Sequence, residues 1–204
     1  MHDRLDPRLK TFLARLPLAA GLAILLWFAL VGRPWGALVT RAAEGWIRTA
    51  ERTKVTRLAF DDGLVVVERA DLSSRSDTPA FSAAPITANL VLLLTLLGAT
   101  PRALRGSVFA ARAAGALAAL LLTQVLHLSF SVQTLYATQL GDWSGVNWPR
   151  WQREIVATGS YFFDIVGKYA VPFVFWALTL RIGEEGAPNA NAAPARERRR
   201  KKKG

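Results

Sequence analysis

Apolar residues along the chain gather into four long blocks that are separated by polar segments. The stretches without any charged residue cover 16–32, 86–100, 113–132 and 169–180. A helix rises about 1.5 Å per residue and a bilayer core is about 30 Å thick, so about 20 residues are needed to cross it. Together with their flanks, the four blocks predict spans over 16–33, 86–104, 108–131 and 155–180. The predicted fold class is therefore a mainly α membrane protein, built as a four-transmembrane-helix bundle.

The first block has a second interpretation, because four basic residues precede it within positions 1–15. A positive start followed by an apolar run is also the pattern of a cleaved signal peptide. The block is long for a signal-peptide core, and no small-x-small cleavage pattern follows it. We therefore interpret it as a retained membrane anchor, preceded by a short cytoplasmic N-terminus over residues 1–15.

The connection between the first two blocks, residues 34–84, forms a predicted outer segment. Residues 37–52 have the pattern of an amphipathic helix, with its apolar face formed by Leu38, Ala42, Trp46 and Ile47. Such a helix either lies on the membrane surface or continues the first span outward.

A β-hairpin pattern follows the amphipathic helix. Residues 55–60 and 64–68 are two strand-like runs, and Asp61-Asp62-Gly63 separates them. An Asp-Gly pair between such runs favours a tight turn, because glycine accepts positive φ. The serine-rich stretch 72–84 then predicts a loop that leads back to the membrane.

The distribution of charge predicts the orientation. The formal net charge is +11, of which residues 1–15, 101–112 and 181–204 carry +2, +3 and +5. The outer segment 34–84 holds seven basic and seven acidic residues. Because an excess of Lys and Arg marks the cytoplasmic side, both termini are predicted to be cytoplasmic. Arginine outnumbers lysine 20 to 6, a composition typical of GC-rich bacteria, so we predict a multi-pass protein of the bacterial inner membrane.

Tryptophans cluster at the predicted outer boundary. Trp35, Trp143, Trp148 and Trp151 all fall there. Indole rings favour the headgroup level, which is typical of an aromatic belt. The alternative is that they pack in the core of a small outer domain.

The C-terminal tail, residues 183–204, is poor in apolar residues and is predicted to be disordered. Its basic run is predicted to contact anionic lipid headgroups. The residues of that run are Arg198, Arg199, Arg200, Lys201, Lys202 and Lys203. No aromatic residue or folded module accompanies the run, so no nucleic-acid partner is predicted.

Polar residues inside the predicted spans form the candidate site, because each is costly to bury in lipid. They are Asn89 on the second span, Gln124, His127 and Ser131 on the third, and Asp164 and Lys168 on the fourth. Helical rise places all of them in the outer half of the bilayer. The spacing of four between Asp164 and Lys168 favours an ion pair. Three interpretations are open: helix–helix packing, contact with a partner or ligand, and catalysis.

Several kinds of chemistry lack their motifs. The chain has no cysteine, which excludes thiol nucleophiles and thiolate metal sites. His127 and Asp164, with Ser129 or Ser131, supply the residue types of a protease triad, but no Gly-x-Ser-x-Gly turn is present. The only other histidine is His2, predicted on the opposite side of the membrane, and no His-Glu-x-x-His pattern occurs. The sequence therefore predicts no cofactor, no metal and no catalytic residue.

One segment resembles a known family. Residues 86–101, Ile-Thr-Ala-Asn-Leu-Val-Leu-Leu-Leu-Thr-Leu-Leu-Gly-Ala-Thr-Pro, resemble the Thr-Asn-apolar…Ala-Thr-Pro segment of exosortase H-associated membrane proteins. The order of elements over about 12–180 is also similar. The resemblance implies a companion of exosortase H, a membrane transpeptidase-like enzyme that processes C-terminal sorting signals. Exosortases use a Cys, an Arg and a His, so this cysteine-free chain resembles the companion and not the enzyme.

These observations predict a non-catalytic integral membrane accessory protein of a bacterial exosortase-type protein-sorting system, with an exosortase-type enzyme and membrane lipid as its partners. The rival hypothesis is a membrane enzyme or small transporter that uses the outer polar cluster. A third hypothesis is a purely structural small membrane protein.

Overall fold

The computed structural model describes residues 6–51, 55–70, 79–101 and 108–181, and the protein is mostly helical. Three helices are long and apolar enough to cross a membrane: Pro7–Ala50, Phe109–Thr138 and Arg150–Leu180. A fourth apolar helix, Ala84–Ala99, is shorter. The predicted class of a mainly helical protein with membrane-spanning candidates is confirmed at this level. Parts of the predicted N-terminus, outer loop and cytoplasmic turn, and the whole tail 183–204, lie outside the described residues.

The first long helix runs continuously from the N-terminus into the outer segment. It consists of α1 (Pro7–Leu26), a first π-helical segment (Trp27–Val31) and α2 (Gly32–Ala50). Asp6 caps its start by accepting a hydrogen bond from the Arg8 N–H at 2.7 Å. The predicted amphipathic helix therefore continues the first long helix, which was one of the two alternatives.

The buried face of α2 differs from the predicted one. Of the four residues predicted to share an apolar face, Ile47 is buried, whereas Leu38 and Trp46 are exposed. Besides Ile47, the buried stripe contains smaller residues: Gly36, Val39, Thr40 and Ala43. A Cβ at Gly36 would lie 2.5 Å from the Phe60 ring, so only glycine allows β1 to approach this closely. Close packing against the sheet selects small residues, which a hydrophobicity pattern does not detect.

The outer segment contains an antiparallel sheet of three strands in the order β1-β2-β3: β1 (Thr56–Asp61), β2 (Leu64–Arg69) and β3 (Ala80–Ser82). The predicted hairpin is confirmed, with Asp61 opposite Leu64. Asp62 and Gly63 have φ of 41° and 84°, as a type I′ turn requires. Residues 80–82 were predicted as loop, and this was wrong because their pairing partner, β2, is distant in sequence.

The short apolar helix ends earlier than predicted. It consists of α3 (Ala84–Thr87) and α4 (Asn89–Ala99), and the predicted span reached residue 104. Thr100 has ψ of 124°, an extended conformation. The residue before a proline avoids the α region, and Pro101 follows Thr100, so the helix stops there.

The C-terminal half forms two long helices that pack on each other. They are α5 (Phe109–Thr138) and the continuous series α7 (Arg150–Phe162), a second π-helical segment (Phe163–Ala170) and α8 (Val171–Arg181). The short helix α6 (Asp142–Asn147) connects them. Both long helices extend beyond the predicted spans at the end that carries the sheet.

Two apolar cores stabilise the molecule. The outer core joins the sheet to α2 and α5, with Val39, Val65 and Val132 almost fully buried. The inner core joins α4 to α5 around Leu90, Leu93 and Leu120. Three of the four boundary tryptophans, Trp35, Trp143 and Trp148, pack against the outer core, whereas Trp151 is exposed. Core packing thus accounts for most of the predicted belt.

Candidate functional site

Buried amide side chains link five helical segments at the level of the predicted polar cluster. The Trp35 indole N–H on α2 donates to Gln124 Oε1 on α5 at 2.6 Å. Gln124 Nε2 donates to Asn89 Oδ1 at 2.5 Å and to the Thr87 carbonyl at 3.4 Å. Asn89 Nδ2 donates to the Gly167 carbonyl in the second π-helical segment at 3.3 Å. We call these five residues the amide network.

The helix geometry explains why the Gly167 carbonyl needs a partner. The N–H of Val171 donates to the Val166 carbonyl, five residues earlier, as in a π-helix. The next N–H would be that of residue 172, but Pro172 has none. The Gly167 carbonyl is therefore left without its helical donor, and Asn89 supplies one from a different helix.

The amide groups of Asn89 and Gln124 all have hydrogen-bond partners within the network. Gln124 and Asn89 are almost completely buried. Each of their amide oxygens accepts a hydrogen bond, and each of their amide nitrogens donates at least one. A buried polar network in which every group has a partner rigidifies the contact between helices. This arrangement favours the packing interpretation for the predicted site residues Asn89 and Gln124.

His127 and Asp164 form a separate arrangement, which we call the imidazole–carboxylate pair. His127 Nε2 lies 3.1 Å from Asp164 Oδ1. The His127 side chain is only 3% exposed, whereas that of Asp164 is 54% exposed. The imidazole also stacks on Phe163, with ring centroids 5.8 Å apart. The pair is therefore anchored on the inside and open on the outside of the bundle, and an imidazole that a carboxylate orients is chemically able to accept and donate a proton.

The other two predicted residues belong to neither arrangement. The Ser131 hydroxyl donates to the His127 carbonyl of its own helix at 3.0 Å. Lys168 Nζ lies 5.3 Å from the centroid of the Tyr169 ring. Asp164 pairs with His127 and not with Lys168, contrary to the expectation from their spacing. Both residues lie in the π-helical segment, whose register differs from the α-helical one that the spacing argument assumed.

A second polar cluster, which the sequence reasoning missed, fastens the sheet to the helices. Arg69 on β2 lies 3.6 Å from Glu51, and its guanidinium stacks on Tyr136 and Trp143 at 4.8 and 4.7 Å from their ring centroids. Thr56 on β1 bonds both Glu51 and Tyr136. These contacts hold the end of the hairpin against α2 and α5, so the sheet is attached to the bundle by charged as well as apolar contacts.

Trp35, Thr87 and Gly167 are the members of the amide network that the sequence did not predict, and Thr87 joins it through its carbonyl. Trp35 has the pattern of a boundary aromatic, and Gly167 takes part only through its backbone. The available signal was Pro172, because a proline inside a span predicts an unpartnered carbonyl one turn earlier. Within the described residues, no group of three or more His, Asp or Glu side chains is placed to hold a metal ion.

No family model, no curated protein and no solved structure matches this chain. The resemblance of residues 86–101 to exosortase H-associated proteins therefore stays a prediction. The class that the fold defines is a mainly helical protein with three helices able to cross a membrane and a small antiparallel sheet.

Proposed function

We propose that this protein is a non-catalytic accessory protein of the bacterial inner membrane, which works beside an exosortase-type enzyme in envelope protein sorting. The observation that supports the proposal is that residues 86–101, the segment that resembles the exosortase H-associated family, form hydrogen bonds to other helices at both ends. Near its start, Asn89 joins the amide network. At its end, Thr100 Oγ1 accepts a hydrogen bond from the Trp176 indole N–H of α8 at 3.0 Å. Both ends of the segment thus assemble the bundle, which suits a scaffold.

The proposal includes a topology with four spans and both termini in the cytoplasm. The second of these spans along the chain is the helix Ala84–Ala99. It is about 24 Å long at the usual helical rise and therefore slightly short for a bilayer core. Its burial between the longer helices supports membrane insertion with them. The sheet and α6 then lie outside, as the charge distribution favours.

Reporter fusions test the topology. Fusions at Gly204 and at Arg105 are expected to report the cytoplasm, and fusions at Asp62 and Gly145 the outside. A fusion at Gly204 that reports the outside would require an odd number of spans and would overturn this topology.

The accessory function is tested by deletion and complementation in the native host. Deletion is expected to reduce processing of C-terminal sorting signals, and the tagged wild-type chain is expected to restore processing and to copurify with the exosortase-type enzyme. Normal processing in the deletion strain, together with no copurification, would contradict the proposal.

The second candidate function is a membrane enzyme or small transporter, and the imidazole–carboxylate pair favours it. In that case His127→Ala would abolish activity while protein level and partner association stay normal. If the pair is structural, His127→Ala should lower the amount of folded protein, and function should fall with it.

A further inference from the structure

The open side of the last long helix carries a carboxylate among apolar side chains. Asp164 is 54% exposed, and its neighbours Tyr161, Ile165 and Tyr169 are exposed as well. Counted back from residue 181, Asp164 lies about 26 Å along the helix, in the outer half of the bilayer. A carboxylate on a lipid-facing surface is costly, so such residues usually pair with another polar group. His127 contacts only Oδ1 of this carboxylate.

Lys168 places a positive charge on the same segment. It is half-buried, and its Nζ lies beside the ring of the exposed Tyr169. Among the described residues, the ion pairs formed by Asp164 do not include Lys168. The surface formed by residues 161–169, which we call the dimer face, thus presents one negative and one positive charge four residues apart that do not pair with each other.

We propose that a second copy of this chain covers the dimer face, with Asp164 of each copy paired to Lys168 of the other. All copies have the same orientation in a membrane, so two copies meet with this helix parallel. A two-fold interface brings residue i against j and j against i, which forms the ion pair twice. An offset of four residues is about 5–6 Å along the helix, a distance that a lysine side chain spans.

The geometry resembles that of parallel coiled coils, where charges at flanking positions pair between chains with a similar offset. Tyr161, Ile165 and Tyr169 would fill the space between the two helices. The carboxylate is then withdrawn from lipid without a change in the His127 contact. This inference does not depend on the proposed accessory function.

The chain has no cysteine, so single cysteines can be used to map the contact in native membranes. Ile165→Cys, at the centre of the dimer face, is expected to give an oxidative crosslink of two copies. Phe28→Cys is the matched control, because Phe28 is 83% exposed on the first long helix. It is expected to give no crosslink.

Charge variants in the Ile165→Cys chain then test the ion pair. Lys168→Asp should reduce the crosslinked fraction roughly tenfold, the effect of a change of about 1.4 kcal/mol in association. The exchange Asp164→Lys with Lys168→Asp should restore it, since the pair reforms with its charges reversed. Thermal unfolding of each variant in detergent identifies any chain that fails to fold. Coexpression of Lys168→Asp with Asp164→Lys, each as a single variant with its own tag, should also restore the crosslink, because the charges on each chain then face opposite charges on the other.

Three results would overturn the proposal. The first is equal crosslinking at positions 28 and 165. The second is no crosslink at position 165 in folded protein. The third is a crosslink from position 165 to a different protein in place of a second copy, which would show that another partner covers this face.

Discussion

The amide network and the imidazole–carboxylate pair lie close together in the bundle, yet they differ in how far their polar groups are buried and paired. In the network, the side chains of Asn89 and Gln124 are buried and each amide group has a partner on another helix. In the pair, a buried imidazole holds a carboxylate that is half-exposed. Polar residues within spans are therefore not one functional class. Closed groups assemble the helices, whereas open groups remain available to a second molecule.

The largest effect in this comparison is expected from Gln124→Leu. The substitution removes three hydrogen bonds between helices, to Trp35, Asn89 and the Thr87 carbonyl. At about 0.6 kcal/mol for each such bond in a membrane protein, the free energy of unfolding should fall by about 2 kcal/mol. Equilibrium unfolding in detergent or bicelles measures it.

Thr123→Val is the matched control for Gln124→Leu. The Thr123 hydroxyl donates only to the Ala119 carbonyl of its own helix, at 2.9 Å. Its replacement by a side chain of similar shape should change stability by less than about 0.5 kcal/mol. Equal losses in the two variants would mean that the network contributes nothing beyond a local hydroxyl bond.

An intermediate effect is expected from Asn89→Leu, and it should depend on Pro172. The substitution removes two interhelical bonds and leaves the Gly167 carbonyl without a donor, so we expect a loss of about 1 kcal/mol. In a Pro172→Ala background the chain regains an N–H that reaches this carbonyl, and the loss should be smaller. An identical loss in both backgrounds, measured by the same unfolding assay, would refute the explanation of the Asn89 contact.

The smallest effect on stability is expected from the imidazole–carboxylate pair. His127→Leu removes one hydrogen bond to a half-exposed carboxylate and keeps an apolar side chain beside Phe163, so we expect a loss of about 0.6 kcal/mol. Asp164→Asn, which keeps the shape and removes the charge, should be similarly mild. If either variant destabilises the protein as much as Gln124→Leu, the pair is part of the structural framework and the distinction between closed and open groups fails.

Much of the fold could be predicted from the sequence, because its signals are local. The apolar blocks predict the helices, and Asp62-Gly63 predicts the hairpin turn. The strand Ala80–Ser82 could not be predicted, since three residues show no periodicity and their partner lies elsewhere in the chain. The buried face of α2 was also missed, because contact with Phe60 favours Gly36 over larger apolar residues.

Four polar residues of the candidate site were predictable, whereas their pairing and the partners Trp35, Thr87 and Gly167 were not. Polar residues stand out in apolar spans, so Asn89, Gln124, His127 and Asp164 were found. The partner of Asp164 was not, because a π-helical segment changes the register of side chains around it. Pro172 was a usable signal of irregular backbone, because a proline removes the N–H that a carbonyl one turn earlier would accept from.

The central claim is that Asn89 and Gln124 act as one interhelical unit, and a double-mutant cycle tests it most directly. Unfolding free energies would be measured for the wild type, Asn89→Leu, Gln124→Leu and the double variant. We predict that the two losses are not additive, with a coupling energy of about 0.6–1.7 kcal/mol. Losses that add to within about 0.3 kcal/mol would contradict the account, because independent residues behave in that way.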